Sequence, residues 1–306
     1  MNRFLGAILF LFFSLASFAQ SEPAYVLILG VAQDGGCPHA GCRKQCCEQA
    51  WKNQELKEYV VSFALIDPSS RKWWLFEATP DIKYQLQYFN EQTNGRYSYL
   101  PDGIFITHAH IGHYTGLMQL GREVMNAKNI PVYVLPKMAV FLVDNGPWSQ
   151  LVNLQNISIQ PLQRDSTISL AGHIEVQPFL VPHRDEYSET AGFKIITAQK
   201  SYLFIPDIDK WEKWNKNIVE EVKNVDIALL DATFYKGDEL PNRKISEVPH
   251  PFVSETMDIF QNEPIFVKQK IHFIHLNHTN PLLWDKEVQK QFNKSGFRLA
   301  KQGMKL

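Results

Sequence analysis

A cluster of three histidines is the strongest chemical signal in this sequence. His108-Ala-His110-Ile-Gly-His113 follows an apolar run at residues 103–107 and precedes a segment with helical periodicity. Alternate side chains of an extended segment share a face, so His108 and His110 point to the same side. The turn at Gly112 can return His113 to the same pocket. Neutral imidazoles at this spacing suit zinc and other borderline divalent metals. With ten His among 306 residues, chance produces this pattern at roughly the 0.01 level, so it predicts a metal site.

Further candidate ligands follow apolar runs elsewhere in the sequence. Each run is typical of a buried strand, and a side chain placed directly after a strand extends from a rigid scaffold into a loop-built pocket. These candidates are His183, Asp207, Asp231, His275 and His278. One polar residue after a strand carries little information. Several of them, together with the histidine cluster, predict one shared pocket.

The elements that must position these residues indicate a mixed α/β fold. We predict strands at 25–30, 59–66, 73–77, 103–107, 130–135, 174–181, 193–198, 202–205, 226–230 and 270–276, and helices at 81–89, 117–128, 211–222 and 254–261. The strands first meet by hairpins and then alternate with helices, which is typical of layered packing. No low-complexity linker or short repeat interrupts the chain. We therefore expect one compact domain over residues 22–306.

The first 19 residues have the pattern of a secretory signal peptide. Arg3 is followed by an apolar stretch at residues 5–15 and by the small-x-small ending Ala-Ser-Phe-Ala. The apolar stretch is about half as long as the roughly 20 residues that span a bilayer. We expect cleavage after Ala19, no membrane span in the mature chain, and secretion, to the periplasm in a Gram-negative source. The alternative is an uncleaved membrane anchor.

Composition narrows the function classes. The chain has 31 Lys+Arg and 32 Asp+Glu, a net charge of −1, 45% hydrophobic and 21% charged residues. This excludes a disordered tail protein and a coiled-coil rod. A near-neutral charge also argues against a dedicated nucleic-acid binder. A small-molecule substrate fits the composition better.

All four cysteines lie between Cys37 and Cys47. Exported cysteines tend to form disulfides, and Cys37 could pair with Cys42, Cys46 or Cys47. The adjacent Cys46 and Cys47 pair poorly with each other because disulfide geometry is specific. From the residues alone, a disulfide, free thiols and a metal site all stay open.

In order and spacing, the candidate ligands resemble the metallo-β-lactamase superfamily. The matching pattern is His108-x-His110-x-x-His113, then His183, Asp207 and a late histidine. Residues 76–81 (Phe-Glu-Ala-Thr-Pro-Asp) also resemble the strand-to-loop element that precedes the histidine motif of that superfamily. The resemblance covers essentially the whole mature chain. It implies an αββα sandwich of two similar halves with a metal site at one edge.

The resemblance also implies roles for individual residues. His108, His110 and His183 would bind a first metal, and His113, Asp207 and His275 a second, with Asp207 bridging. Asp207 and His113 would be the catalytic residues. The implied metal is Zn²⁺, as one or two ions, with Mn²⁺ or Fe²⁺ as alternatives.

Two segments narrow the resemblance to one branch of the superfamily. Cys42-Arg-Lys-Gln-Cys46-Cys47 and His275-Leu-Asn-His278 are similar to the branch of the pyrroloquinoline quinone synthesis B proteins and the carbon–phosphorus lyase pathway phosphodiesterase. In that phosphodiesterase, an N-terminal cysteine cluster and a second late histidine hold a structural zinc. The resemblance therefore implies a Cys₃His zinc site made of Cys42, Cys46, Cys47 and His278, with Cys37 left over.

One position departs from the superfamily pattern. The motif usually reads H-x-H-x-D-H, and the aspartate position here is Gly112. Glycine can neither bind the second metal nor orient a water. That site would keep three protein ligands, which with water still satisfy a catalytic zinc. One metal, a different metal and no hydrolysis all stay open.

The sequence supports two classes of function. The first is an exported metal-dependent hydrolase of an ester, lactone or phosphodiester, with Arg184, Tyr114 and His250 as candidate substrate contacts. The second is a metal-binding accessory protein in the synthesis or handling of a quinone cofactor. β-Lactamase activity itself is a weaker expectation, because a fold does not define a substrate.

Overall fold

The computed structural model describes residues 22–240, 244 and 248–306. The predicted signal peptide at 1–19 lies outside these residues. The first sheet has six strands in sequence order: β1 Tyr25–Gly30, β2 Ser62–Asp67, β3 Lys72–Phe76, β4 Gly103–Phe105, β5 Ile130–Val134 and β6 Ile157–Pro161. The second has seven strands, running from β13 at one edge to β7 at the other: β7 Ile168–Ala171, β8 Ile174–Leu180, β9 Ala191–Ile196, β10 Ser201–Ile205, β11 Ile227–Asp231, β12 Ile271–Ile274 and β13 Arg298–Leu299.

Both sheets change from antiparallel to parallel pairing. β1 to β3 pair antiparallel, and β3 to β6 pair parallel. In the second sheet β7 to β10 pair antiparallel, and β10 to β13 pair parallel. The carboxyl ends of parallel strands meet at one edge of a sheet, so the loops after β10, β11 and β12 converge there.

Short helices complete the fold. They are α1 Gln45–Lys52, α2 Ile82–Gln92, α3 Ile111–Tyr114, α4 Pro136–Asp144, α5 Trp148–Asn153, α6 Ile218–Lys223, α7 Val253–Ile259, α8 Ile265–Lys268, α9 Pro281–Trp284 and α10 Lys286–Phe292. Short 3₁₀ helices cover Gln54–Leu56, Thr115–Leu120 and Trp211–Lys213. Within the described part of the chain, no helix has the length and apolarity that a bilayer crossing requires.

The two sheets pack face to face with helices outside. Phe63 in β2 points inward and meets Phe204 of the second sheet edge-on, with ring centroids 4.9 Å apart. Its neighbour Ala64 points outward, as the two-residue period of a strand requires. On that outer face, Trp73 stacks on Phe89 of α2 at 3.8 Å. Phe273 of β12 meets Phe292 of α10 at 5.8 Å beyond the other sheet. The predicted αββα arrangement is confirmed.

Two predicted helices differ from the structure. The stretch predicted as a helix over 117–128 is a 3₁₀ helix that ends at Leu120, and Asn126 and Asn129 then adopt left-handed backbone with φ of 45° and 52°. The stretch predicted over 211–222 divides into a 3₁₀ turn and α6, whose start Asn217 caps by accepting from Val219 N at 2.9 Å. Turn-forming residues override the helical periodicity in both cases.

Candidate metal centre

The candidate ligands lie at the same edge of the sandwich. The histidine motif follows β4 and enters α3, His183 follows β8, Asp207 follows β10, and His275 follows β12. The buried strands explain this arrangement, since they fix the point at which each loop begins.

Three histidines and one carboxylate form the first group. His108, His110, His183 and Asp207 each offer a ligand atom, and these atoms lie within 4.8 Å of one another. Asp207 Oδ2 lies 3.4 Å from His108 Nε2, 3.2 Å from His183 Nε2 and 3.9 Å from His110 Nδ1. Donors bound at about 2.1 Å to a tetrahedral zinc lie about 3.4 Å apart, so the spacing fits one ion.

A second group lies beside the first. Asp34, His113 and His275 also offer ligand atoms within 4.8 Å of one another. His113 Nε2 is 3.6 Å from Asp34 Oδ1 and 3.8 Å from Asp207 Oδ2. His275 Nε2 is 4.0 Å from that same Asp207 oxygen. Asp207 Oδ2 therefore lies between the two groups, where a bridging ligand would lie.

The outer nitrogen of each clustered histidine has its own polar partner. These nitrogen–oxygen pairs are His108 Nδ1 with Thr107 Oγ1 at 2.9 Å, His110 Nε2 with Glu186 Oε2 at 3.1 Å, His113 Nδ1 with Glu77 Oε1 at 3.3 Å, His183 Nδ1 with Asp209 Oδ1 at 3.5 Å, and His275 Nδ1 with Thr233 Oγ1 at 3.0 Å. Such partners select the ring tautomer and orientation of metal-binding histidines and leave the other nitrogen free as a ligand.

Four inner atoms of the cluster are buried without hydrogen-bond partners: His108 Nε2, His113 Nε2, His275 Nε2 and Asp34 Oδ1. Two others, His183 Nε2 and His110 Nδ1, lie 3.2 Å from each other. Buried polar atoms are almost always paired, and convergent unpaired atoms call for a cation or an ordered water. The donor set of imidazoles and carboxylates suits zinc, so the residues present fit the metal that the motif predicts.

Electrostatics keep the central carboxylate ionised. Burial alone would raise the pKa of Asp207, but the surrounding imidazoles, above all His183, His250 and His275, hold it well below its usual range. Burial lowers the pKa of His108 well below its usual value. This pair is therefore an anion beside a neutral ring.

His113 has the opposite balance. Burial would lower its pKa, but the carboxylates of Glu77, Asp34 and Asp207 outweigh burial and raise the pKa to about 9. A metal ion at Nε2 would replace a proton there, and metal binding is expected to release it.

Two residues of the centre have left-handed backbone. Glu77 has φ of 72° and His275 has φ of 65°. Residues with a side chain rarely adopt this conformation, and it concentrates at functional sites. In Glu77 it accompanies a fully buried carboxylate that faces His113 and accepts from Thr107 N at 3.3 Å.

The cysteine cluster forms a second candidate metal site. Cys42, Cys46, Cys47 and His278 offer ligand atoms within 4.8 Å of one another. The Cys42 and Cys46 sulfurs are 3.8 Å apart. Sulfurs bound to a tetrahedral zinc at about 2.3 Å also lie about 3.8 Å apart. No disulfide joins the four cysteines, all of which lie within the described residues.

His278 is prepared for a ligand role. Burial lowers its pKa to about 4, so the ring is neutral at pH 7. Its Nδ1 is buried without a hydrogen-bond partner, and its ring stacks on His39 at 4.4 Å. Cys37 is not one of the four donors. It is buried beside them, with its Sγ 4.0 Å from Cys46 O, and burial raises its thiol pKa to about 12.

The three predicted substrate contacts lie in different surroundings. Arg184 has a side chain 52% exposed and lines a cavity of about 390 Å³. His250 lines the same cavity, but its Nδ1 lies 3.1 Å from Asp207 Oδ1 and 3.0 Å from Asp231 Oδ2. Burial would lower the pKa of His250, and these carboxylates raise it to about 10.

Tyr114 differs from the prediction. Its ring is buried in the core, packed against Phe141 of α4 and Trp148 of α5 at 5.5 and 4.9 Å. The residue that follows the last motif histidine starts a buried helical turn, so its aromatic ring has a packing role.

Sequence reasoning missed Asp34, Glu77 and Thr233. Asp34 follows the first strand by four residues, within Gln33-Asp34-Gly35-Gly36. A polar residue after an apolar strand is the signal that identified Asp207 and His275. The glycine pair after Asp34 marks a tight loop and could have drawn attention to it.

Comparison with known proteins shows the family of the chain. A model of the beta-lactamase superfamily domain matches residues 72–303, about three quarters of the chain. The chain belongs to the beta-lactamase superfamily, as the histidine motif predicted.

Individual relatives resemble the chain over nearly its whole length. The coenzyme PQQ synthesis protein B of Methylorubrum populi is 24% identical and covers 92% of this chain and 99% of its own. The crystal structure of Zn²⁺-bound PqqB from Methylobacterium extorquens superposes with a TM-score of 0.76 at 21% identity, covering 92% of this chain and 99% of that one. A diphosphatase of the PhnP family gives 0.69 at 19% identity, covering 94% and 98%. These likenesses show a shared fold.

Proposed function

We propose that this protein is a metal-dependent hydrolase that cleaves an ester or phosphodiester bond in a small anionic molecule. The observation that carries the proposal is the convergence of five histidines on one oxygen, Asp207 Oδ2. All of their facing nitrogens lie within 4.0 Å of it. Core packing alone does not explain this arrangement. Without a metal, each imidazole would need an N–H proton on the nitrogen that faces the buried carboxylate.

The proposed roles follow from the donor atoms. His108, His110, His183 and Asp207 would hold one metal, and His113, His275 and Asp207 would contribute to a second. When bound, zinc supplies Lewis acidity and lowers the pKa of a water to roughly 7. Zinc is the first metal to test because its preferred donors are present. The structural neighbour from Methylobacterium extorquens is also described as zinc-bound.

Asp207 suits a bridging role better than a general-base role. Its Oδ2 faces the histidines and its Oδ1 faces His250. A carboxylate whose pKa lies far below its usual range is a poor proton acceptor at neutral pH. Of the two roles that the sequence allowed, the structure favours the ligand that joins both metal groups.

The adjoining cavity supports an anionic substrate. Its lining includes Lys44 and Arg184, and His250 connects it to the metal centre. Glu239 also lines it, but both of its oxygens already accept from backbone N–H groups of residues 235–237. Glu239 keeps its negative charge and Arg184 pairs with Glu186 at 3.7 Å, so Lys44 and Arg184 give the described wall two positive side chains against the one negative side chain of Glu239. Such a wall suits a phosphate or carboxylate.

A hydrolysis screen tests the proposal. The purified chain is assayed with bis(p-nitrophenyl) phosphate, a chromogenic lactone and a chromogenic β-lactam, each with Zn²⁺, Mn²⁺ or Fe²⁺. We expect turnover of the phosphodiester above the rate of free metal. The double variant His108→Ala/His110→Ala should lose this activity and the metal of the first group.

The matched control is His173→Ala. His173 lies in the turn between β7 and β8 and pairs with Asp67 at 3.5 Å, away from the histidine cluster. It should keep both activity and metal. Full zinc content in the His108→Ala/His110→Ala variant would show that the site assignment is wrong.

We also propose that the cysteine cluster holds a structural zinc. Three thiolates and one imidazole form a closed tetrahedral set without an open position for substrate. Zinc released on denaturation, together with four alkylatable thiols, would support this role. Two thiols that resist alkylation and no released zinc would indicate a disulfide instead.

A second candidate function is a metal-binding accessory role in quinone cofactor synthesis or handling. The observation that favours it is the full-length match to coenzyme PQQ synthesis protein B. Tight binding of a quinone, measured by fluorescence quenching, combined with silence in the hydrolysis screen, would support this candidate over the first.

We also propose, from the signal-peptide pattern, that the protein is exported. This pattern predicts a mature N-terminus at Gln20, which mass spectrometry of the protein from a periplasmic extract can test.

A further inference from the structure

The departure at Gly112 has a structural counterpart in the loop after β1. A Cβ atom at residue 112 would lie 2.6 Å from the Asp34 Cα and 3.0 Å from its Cγ, and closer still to Oδ1. The Cα belongs to the backbone and cannot rotate away. Asp34 thus occupies the space that a side chain at 112 would need, and the two positions exclude one another.

The carboxylate of Asp34 points to the ligand atoms that the missing aspartate would serve. Asp34 Oδ1 is 3.6 Å from His113 Nε2, and both lie within 4.8 Å of the ligand atom of His275. These three atoms are buried and have no hydrogen-bond partner. The other oxygen, Oδ2, accepts from Gln33 Nε2 at 3.2 Å, which leaves Oδ1 available to the group.

Backbone hydrogen bonds hold this loop in place. Gln33 N donates to Leu276 O at 2.8 Å, and Gly36 N donates to Gln33 O at 2.8 Å. Gly36 has φ of 68°, a conformation that glycine adopts without strain. The loop that carries Asp34 is therefore tied to the loop that carries His275.

We propose that Asp34 is the carboxylate ligand of the second metal and replaces the motif aspartate that Gly112 lacks. This inference rests on the proposed function, because it assumes that the His/Asp centre binds metal. With Asp207 Oδ2 at 3.8 Å from His113 Nε2, the second position has four protein donors: Asp34, His113, His275 and Asp207. The carboxylate ligand would come from the loop after β1 instead of from the histidine motif. The second metal would still have four protein ligands.

The rival explanation needs no second metal. His113 could be an imidazolium ion that lies between Glu77 and Asp34, at 3.3 and 3.6 Å. In that case Asp34 is an ion-pair partner, and its removal would leave the metal content unchanged. Metal stoichiometry therefore separates the two explanations without any activity measurement.

The experiment measures bound zinc by plasma mass spectrometry after dialysis against a zinc buffer. Asp34→Ala should retain one zinc equivalent fewer than the unmodified chain, or bind it at least about 100-fold more weakly. Loss of a partner outside the coordination shell already costs about 10- to 100-fold in affinity. If Asp34→Ala folds poorly, Asp34→Asn takes its place in the test. This variant keeps the size of the side chain and should show the same loss of zinc. Circular dichroism at saturating zinc checks the fold.

A position swap adds a further arm to the test. Asp34→Gly/Gly112→Asp returns the carboxylate to the motif and removes the Oδ1 and Cγ contacts, while the Cα at residue 34 must still shift to admit the new Cβ. The glycine-rich loop after β1 can supply this shift, and the variant should then regain the lost equivalent. Asp144→Ala, an exposed carboxylate at the end of α4, is the control and should keep all zinc.

Each outcome has one meaning. If His108→Ala/His110→Ala retains as much zinc as the unmodified chain, the proposed function fails. If that variant loses zinc but Asp34→Ala and Asp34→Asn retain every equivalent with unchanged affinity, the metal centre stands and this inference is overturned.

Discussion

Glu58 is a buried carboxyl that should make stability depend on pH. Its backbone pairs with Cys37, accepting from Cys37 N at 3.0 Å and donating to Cys37 O at 2.8 Å. Its side-chain Oε2 is buried without a hydrogen-bond partner. Burial raises the pKa of Glu58 to about 7, and Lys301 only partly offsets this effect.

The sign follows from comparing the two states. The folded pKa of about 7 lies above the ordinary value of 4.5. Below pH 4.5 the carboxyl is protonated in both states, and stability is complete. Between pH 4.5 and 7 the unfolded chain ionises first, so the free energy of unfolding falls as pH rises. Since one pKa unit equals about 1.36 kcal/mol, the loss is about 3 kcal/mol at pH 8. This is an upper value, because Glu58 lines an open cavity of about 450 Å³ that can admit water.

Glu58→Gln keeps the shape and removes the ionisation. We expect the variant to match the unmodified chain at pH 4.5 and to be up to about 3 kcal/mol more stable at pH 8. Urea unfolding followed by tryptophan fluorescence at both pH values measures the difference, in which the effects of other titrating groups cancel. Glu55→Gln, an exposed neighbour, controls for the change in net charge. An equal effect of Glu58→Gln at pH 4.5 and pH 8 would refute the reasoning.

Three further predictions follow from other contacts. His278→Ala should lose one zinc equivalent and lower the melting temperature, whereas Cys37→Ser should keep the zinc, both measured by metal analysis and thermal denaturation. Thr107→Val removes the partner of His108 Nδ1 and should weaken the first metal about 10- to 100-fold in a chelator competition. Phe204→Ala deletes a ring that packs between the sheets against Phe63 and should cost about 3–5 kcal/mol in urea unfolding.

Much of the architecture could be predicted from local patterns. Apolar runs identified the central strands because both faces of these strands are buried, so no polar residue interrupts them. The strand ends then indicated His183, Asp207 and His275. The first polar residue after a buried strand lies at the edge of the sheet, where the loop begins. The histidine motif then indicated that these strand ends lie close together in space. Its three histidines form a complete metal pocket only if the neighbouring loops contribute further ligands.

Other features depend on contacts that no local pattern encodes. Asp34 is 79 residues from His113 in the sequence numbering, and only the packing of the β1 loop against Gly112 brings them together. The left-handed backbone at Glu77 likewise depends on its surroundings, since isolated glutamate avoids that conformation. Helix α6 begins at an asparagine cap that interrupts the periodic pattern before it.

The two candidate metal sites share the same pair of loops. The segment after β1 carries Asp34 and, a few residues later, the three cysteines, while the segment after β12 carries His275 and then His278. Backbone hydrogen bonds join these segments, with Leu276 N donating to Val31 O at 2.8 Å. A zinc held by the cysteines and His278 would fasten the same two loops that bring Asp34 to His275. The cysteine site would then help to position the ligands of the metal centre. If either loop loosened, Asp34 or His275 would shift away from the second metal. Loss of the structural zinc should therefore weaken the second metal before it weakens the first, whose ligands follow β4, β8 and β10.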